Sequence, residues 1–417
     1  MHKLTYRFKV EPIPELENLC RISKDLYNQS LYELKKKKEE KDIWLGQYEL
    51  FEHMKTMQDP DGNIVAKMMC SDTSNYVVKQ VCKNVKSFFA LIRKWKKNPE
   101  MFRKKPEFPH FLPNGSMNLV QIRYKHDCRI SNKGIITIGM VPEVSIPIPQ
   151  WGKYKKIGNQ CKLIRILPFK RFMIIEIIYE AEYENRVNDK NRIAAIDFGV
   201  NNLATVVTPE GSTIFSGKPL KSYNQYFNKE MAHYTSIKVK QGIEHGTKRI
   251  SKLNAKRHQF VETFMHTTSR AIVNLLIEQH IGKLVVGRNV GWKNHPQMRQ
   301  NNQKFMFIPF RKLQSMLKYK CEMAGIEYVE QEESYTSKCD ALAFESIEHH
   351  DKYVGRRKHR GLFISSTGQF INADQNGALN ILRKNIGDEE YKIKTQNWNI
   401  KSPVRIKHPQ KMYSAIP

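Results

Sequence analysis

Residues 193–207, IAAIDFGVNNLATVV, constrain this chain more than any other stretch. An apolar run climbs to one carboxylate, Asp197, breaks at Gly199, and is followed by a second short apolar run. Such runs read as buried strands joined by a tight turn. A lone acid at the end of a buried strand does little chemistry. As a metal ligand it needs partners from other strand ends or helix starts. An aspartate ahead of a turn also caps backbone amides, so Asp197 alone decides nothing.

The rest of this half supplies a frame. Residues 191–214 read as two antiparallel strands and a third. Residues 248–280 form a long helix with a basic first half, IGKLVVGRN (281–289) a buried strand, and 307–325 an amphipathic helix. IEYVEQEES (326–334) is a fifth strand, and NADQNGALNILRK (372–384) returns to helix, opening near Asp374. A helix-start aspartate is commonly an N-cap. The order βββ-α-β-α-β-α resembles the RNase H superfamily. In that architecture acids from strand ends and a late helix converge on two Mg²⁺ ions, which require hard oxygen ligands.

The N-terminal half differs in character. Residues 3–10 read as a strand and 13–98 as helices, with Leu16, Cys20, Leu26, Leu31 and Leu34 on one apolar stripe and Val77, Val81, Val85 and Phe88 on another. The second helix carries Lys79, Lys83, Lys86, Arg93 and Lys96 on its polar side, nearly all one sign, which suits a phosphate-facing surface. Pro99 ends it, and FRKKPEFPHFLPNG (102–115) follows, where Arg103, Lys104 and Lys105 alternate with rigid turns and aromatic rings. From about 118 to 184 short strands separated by turn signals predict a small barrel, with the helices inserted after its first strand.

Composition points the same way. The net charge of +29 over 417 residues calls for a polyanionic partner. With no apolar run long enough to span a bilayer and no signal peptide, a membrane is not that partner, and nucleic acid is. Seven widely spaced cysteines with no CxxC pair form a reduced, intracellular pattern, so a cytoplasmic site of action is expected.

IDFGVNNLAT, YTSKC (335–339) and NADQNGALNILRK together closely resemble the conserved blocks of TnpB, the transposon-encoded RNA-guided nuclease related to type V CRISPR effectors. The resemblance implies an α+β multidomain chain, a β-barrel wedge domain with an inserted helical recognition domain, then an RNase H-like (RuvC) α/β nuclease domain. On this reading, residues 1–11 are the first wedge strand, 12–100 the recognition insertion, and 101–189 the wedge barrel. Residues 190–334 are the nuclease domain, 335–371 a degenerate zinc-ribbon-like insertion that binds target nucleic acid, 372–390 the final nuclease helix, and 391–417 a tail. It also implies a guide RNA from the transposon end and a target DNA, read beside a short adjacent motif, with no obligate protein partner.

Two departures stand out. Members of the family carry a glutamate at the end of the fourth strand, where this chain has Gly287. The fifth strand offers Glu332 and Glu333 as replacements, and strand alternation lets only one of them point at the site. The candidate metal ligands and catalytic acids are therefore Asp197, Glu332, Glu333 and Asp374. The second departure is the zinc ribbon: Cys339 stands alone, so no structural zinc is expected, and residues 354–368 should form a basic hairpin held by apolar contacts such as Leu362 and Phe363. Its Arg356, Arg357 and Arg360 are candidate phosphate contacts. The expected activity is Mg²⁺-dependent, RNA-guided DNA cleavage. The alternatives are an RNA-guided repressor with an inactive nuclease site and a compact CRISPR effector.

Overall fold

The computed structural model of the chain describes residues 2–407, except for 103, 170–171, 182–187, 289–307, 360 and 401. The predicted nucleic-acid contacts Arg103 and Arg360 lie outside the described residues. The chain divides into two compact units, Met1–Glu182 and Tyr183–Pro417. No helix among the described residues is long and apolar enough to cross a membrane.

In the first unit, β1 (His2–Val10) pairs antiparallel with β7 (Phe172–Ala181), β7 with β6 (Cys161–Phe169), and β6 with β2 (Val120–Arg123). The helices α1 (Pro14–Lys41), α2 (Gln47–Met54) and α3 (Ser71–Lys97) interrupt this sheet between its first two strands in chain order. Proline suits the first turn of α1, where its missing N–H has no helical partner anyway. The predicted stripes face inward: Leu16, Leu26, Leu31, Val77, Val81 and Val85 are all buried in one core. The predicted barrel is corrected. The strands β3 (Cys128–Ile130), β4 (Ile135–Ile138) and β5 (Val141–Pro147) form a separate three-stranded meander, and no closed barrel forms among the described residues. The cause is local. Lys125 and Gln150 take left-handed φ values of 68° and 54°, and α4 (Trp151–Gln160) follows at once, so the meander folds back before pairing can run on to β6.

The second unit is built on one mixed sheet. Its strands are β8 (Asp189–Phe198), β9 (Asn202–Thr208), β10 (Gly211–Ser216), β11 (Ile281–Arg288), β12 (Glu327–Glu332) and β16 (Val404–Ile406), in the order β12-β11-β8-β9-β10-β16. The pairs β8–β9 and β9–β10 are antiparallel, while β11 runs parallel to β8, β12 to β11, and β16 to β10. The unbroken apolar runs of β8 and β11 follow from their central place, where both faces are covered. On one face Ala194, Ile196, Val206 and Val286 pack on α6 (Lys248–Glu278) and α7 (Phe310–Met323) through Ile272, Leu276 and Leu317. On the other, Ile193, Ala195, Val207 and Val285 meet Ala378, Ile381 and Leu382 of α8 (Ala373–Ile386). The helix α5 (Lys218–Lys240) and the edge strand β16 have no counterpart in the sequence reading.

Between β12 and α8 lies a small sheet of β13 (Arg356–His359), β14 (Leu362–Ile364) and β15 (Phe370–Ile371). Phe363 is buried there with Ile371, as expected of an apolar hairpin. A polar clamp accompanies it. The fully buried Asp340 accepts hydrogen bonds from the Ser365 hydroxyl (2.8 Å), the Ser366 amide (2.8 Å) and the Leu342 amide (3.1 Å). The same loop is tied to α8. Asn380 donates to the carbonyls of Thr336 (2.9 Å) and Cys339 (2.7 Å), and Asn376 donates to Cys339 at 2.8 Å. Arg383, 1% exposed, reaches the Glu345 carbonyl at 3.1 Å, and its guanidinium is itself held by Asp388 at 2.9 Å. Asp340→Ala leaves these buried donors unsatisfied and should lower unfolding stability in urea by roughly 2–4 kcal/mol. Elemental analysis of the purified protein should find no stoichiometric zinc; stoichiometric zinc would mean that a metal, not Asp340, closes this loop.

Candidate active site

Asp197 stands on β8 with the parity of Ile193 and Ala195, so its carboxylate lies on the face that α8 covers. The helix must come close to accommodate it. Gly377 of α8 allows this, since a methyl there would stand 2.9 Å from Asp197 Oδ2. Asp374 lies one helical turn before Gly377, at the start of α8. The N-cap of this helix is Asn372, whose side chain accepts from the amides of Asp374 and Gln375. The Asp374 carboxylate is thereby free for other partners. It accepts from Asn202 Nδ2 at 2.6 Å and from the Arg357 guanidinium at 3.3 Å.

The fifth strand separates the two glutamates. Parallel pairing sets Gly287 against Gln331 and Arg288 against Glu332. Gln331, paired with Gly287, also meets Asn385 of α8, and Glu333 follows just past the strand end. Glu333 turns back over Gly287. A methyl at Gly287 would come within 2.6 Å of Glu333 Oε2 and 2.7 Å of Ile381 Cδ1. The missing side chain on the fourth strand is thus the space that the Glu333 carboxylate fills. Glu332 points elsewhere, held by Lys384 at 2.6 Å and by the Ser334 amide at 2.7 Å. Of the four acids proposed from sequence, the structure gathers Asp197, Glu333 and Asp374, and leaves Glu332 in a surface ion pair.

The electrostatics follow this arrangement. All three gathered acids are half-buried: water still touches them, but protein surrounds them on most sides. Burial first, then the negative charges of Glu333 and Asp374, push the Asp197 carboxyl well above the usual carboxylate range, against a smaller opposing pull from Arg357. Glu333 is pushed up to about 7, by burial and then by the charge of Glu332. For Glu332, burial also pushes upward, but the hydrogen bonds from Lys384 and Ser334 outweigh it and the carboxyl ends below its ordinary value. Among the described residues no three His, Cys, Asp or Glu side chains already stand close enough to hold a metal ion.

The basic candidates are arranged more simply. Lys79, Lys83, Lys86, Arg93 and Lys96 are all exposed along α3, opposite its buried valines. Lys104 is paired with Glu107 at 2.6 Å, and Lys105 lies over the Trp95 ring at 5.5 Å. Phe108, a candidate for base stacking, packs instead among Phe88 and Trp44. Arg356 is exposed on β13, and its neighbour Arg357 is the one that reaches the acids. Asn202 and Arg405 were missed. Asn202 sits in the NN pair that follows Gly199 and Val200, a visible signal, whereas nothing in the tail marks Arg405.

Two protein families match within this unit and its margins. OrfB_IS605, described as a probable transposase, matches residues 176–293, and the Cas12f1-like TNB domain matches residues 310–381. Between them they span Asp197, Gly287, Glu333 and Asp374. The chain is a relative of TnpB-like and Cas12f proteins. It is 28% identical over 205 residues to the TnpB-like protein ORF457 of Acidianus two-tailed virus, covering 47% of this chain and 42% of that protein. It is 27% identical over 252 residues to the CRISPR-associated endodeoxyribonuclease Cas12f2 of Micrarchaeota archaeon (strain CG1_02_47_40), covering 57% of this chain and 45% of that protein. The match to this TnpB-like protein and this Cas12f2 thus takes in less than half of either relative's length. A solved Cas12f1–sgRNA–target DNA complex shares the fold, with a TM-score of 0.52 at 16% identity over 88% of this chain and 81% of that one.

The raised Glu333 carboxyl has a consequence for this TnpB and Cas12f relative. Its folded form holds a proton that the unfolded chain releases near the ordinary value of 4.5. The stability that this proton contributes in a chelator is therefore fully present below about pH 4.5 and is lost as pH rises through about 7, by up to roughly 3 kcal/mol. Glu333→Gln should flatten that slope in thermal melts across this range.

Proposed function

We propose that this chain is an RNA-guided DNA endonuclease with a RuvC-like nuclease unit, and that Asp197, Glu333 and Asp374 are its metal-binding acids. The observation that carries this reading is the Glu333 carboxylate over Gly287: an acid has been kept at the end of the fourth strand by moving it from that strand to the next. A dead nuclease has no need of such a carboxylate, which weighs against the repressor alternative.

The donor chemistry fits a hard divalent cation. Carboxylate oxygens are the ligands Mg²⁺ prefers, and a cation among the acids would offset the negative charges of Glu333 and Asp374 that push the Asp197 carboxyl upward. Two Mg²⁺ ions, when bound, would supply water activation at neutral pH and charge neutralisation on the phosphodiester. Asp197 and Asp374 would hold them from β8 and α8, and Glu333 would complete the set. Arg357, already beside Asp374, would be placed to meet a target phosphate, with Arg356 next to it. The exposed α3 lysines with Arg93 and Lys96 offer a sequence-independent grip on RNA or DNA backbone. Base pairing with a guide would then read the target. Action in the cytoplasm follows from such substrates, and the guide is expected from a transposon end; a neighbouring CRISPR array would assign it to a CRISPR system instead.

The test uses the full chain purified with its co-purifying RNA, a plasmid library and Mg²⁺. Linear product that disappears with a chelator is expected. Glu333→Ala should cut the rate at least about 100-fold, while Glu332→Ala stays near wild type. Gly287→Glu combined with Glu333→Ala, with Ile381→Val to make room, should recover part of the lost rate, because it returns the acid to the fourth strand. Full activity in Glu333→Ala would overturn the assignment, and DNA binding without any cleavage would favour the repressor.

A further inference from the structure

The tail strand β16 carries a side chain that reaches back into the acid site. Residues paired directly across a sheet point to the same face. Asp197 pairs with Thr205, Thr205 with Ile214, and Ile214 with Arg405, so Asp197 and Arg405 lie in one cross-strand row on one face. Arg405 spans the intervening strand and donates to Asn202 Oδ1 at 2.8 Å. Asn202, buried at the start of β9, in turn donates through Nδ2 to Asp374 Oδ2 at 2.6 Å. An amide can present either end to a neighbour, and only its hydrogen-bond partners decide which. Arg405 has no acceptor to offer, so its contact fixes the carbonyl outward and the NH₂ toward Asp374.

We propose that Arg405 is a positioning residue for the acid site, acting through Asn202 on the Asp374 carboxylate, and that the tail strand is therefore part of the nuclease centre. This rests on the reading of Asp374 as a metal ligand. Without Arg405 the Asn202 amide loses one of the two contacts that hold it and is freer to move away from the carboxylate. Arginine suits the task because it stays charged and its several donors tolerate the reach across the sheet.

The experiment measures Mn²⁺ affinity of the full chain by titration calorimetry, beside thermal melts. Outer-shell partners of metal ligands typically cost 10–100-fold in affinity when removed. Arg405→Gln and Asn202→Ala should each weaken Mn²⁺ binding by about tenfold, and the double variant by no more than either alone, because both break one relay. Arg405→Lys should recover part of the loss. The Arg405→Gln melting temperature should match wild type, since the side chain is exposed. Wild-type Mn²⁺ affinity in Arg405→Gln, or losses that simply add, would overturn the relay. Asp374→Asn separates the two readings: unchanged affinity there would mean that Asp374 is not a ligand, and the functional reading would fall rather than the relay.

Discussion

The crowding of Glu333 and Asp374 against the half-buried Asp197 is the constraint that organises the second unit. Burial first, and then the charges of those two, raise the cost of ionising Asp197, and each acid comes from a different element. Donors placed around the acids offset part of this: Arg357 and Asn202 both contact Asp374. The remainder is carried by the attachment of α8. Asn376, Asn380 and Arg383, all buried, tie that helix to the loop that follows β12. The helix that delivers Asp374 and the strand end that delivers Glu333 are thus fastened by hydrogen bonds that do not involve the acids. This is how a site can hold like charges together without collapsing the fold around it.

Close approach is the second requirement, and glycine meets it at two points. Gly377 lets α8 lie against the Asp197 carboxylate, and Gly287 leaves room for Glu333. Neither is explained by backbone conformation; in both the missing side chain is the point. The absence of the fourth-strand glutamate reads in the sequence as a lost ligand. In three dimensions the same glycine is the condition for a carboxylate to arrive from the neighbouring strand.

The insertion before α8 shows a comparable exchange of parts. Where related proteins are expected to close this segment with cysteines, Asp340 gathers serine hydroxyls and backbone amides around one buried carboxylate. Its hairpin then presents Arg356 and Arg357, and the second of these reaches the acid site. The apolar contribution of Phe363, which periodicity reveals, is only part of what holds the segment. The polar part depends on residues more than twenty positions apart, which no local pattern links.

Asp197 at the end of a buried strand, Asp374 at the head of the last helix, the helical stripes of the first unit and the strand-helix order of the second were all legible in the sequence, because apolar periodicity and turn residues act over a few neighbours. The choice between Glu332 and Glu333 was not, since it depended on which acid turns into the space above Gly287. The barrel failed for a similar reason: strand identity is local, but strand partnership turns on two left-handed residues and a short helix. Arg405 meets Asn202, the partner of Asp374, only because an edge strand pairs beside β10, a contact between residues some two hundred positions apart. The sequence by itself determined which acids stand at the strand ends and at the head of the last helix. Only the tertiary structure decided which glutamate lies over Gly287 and which donors reach Asp374, because registry and free volume are properties of packed neighbours and not of the chain.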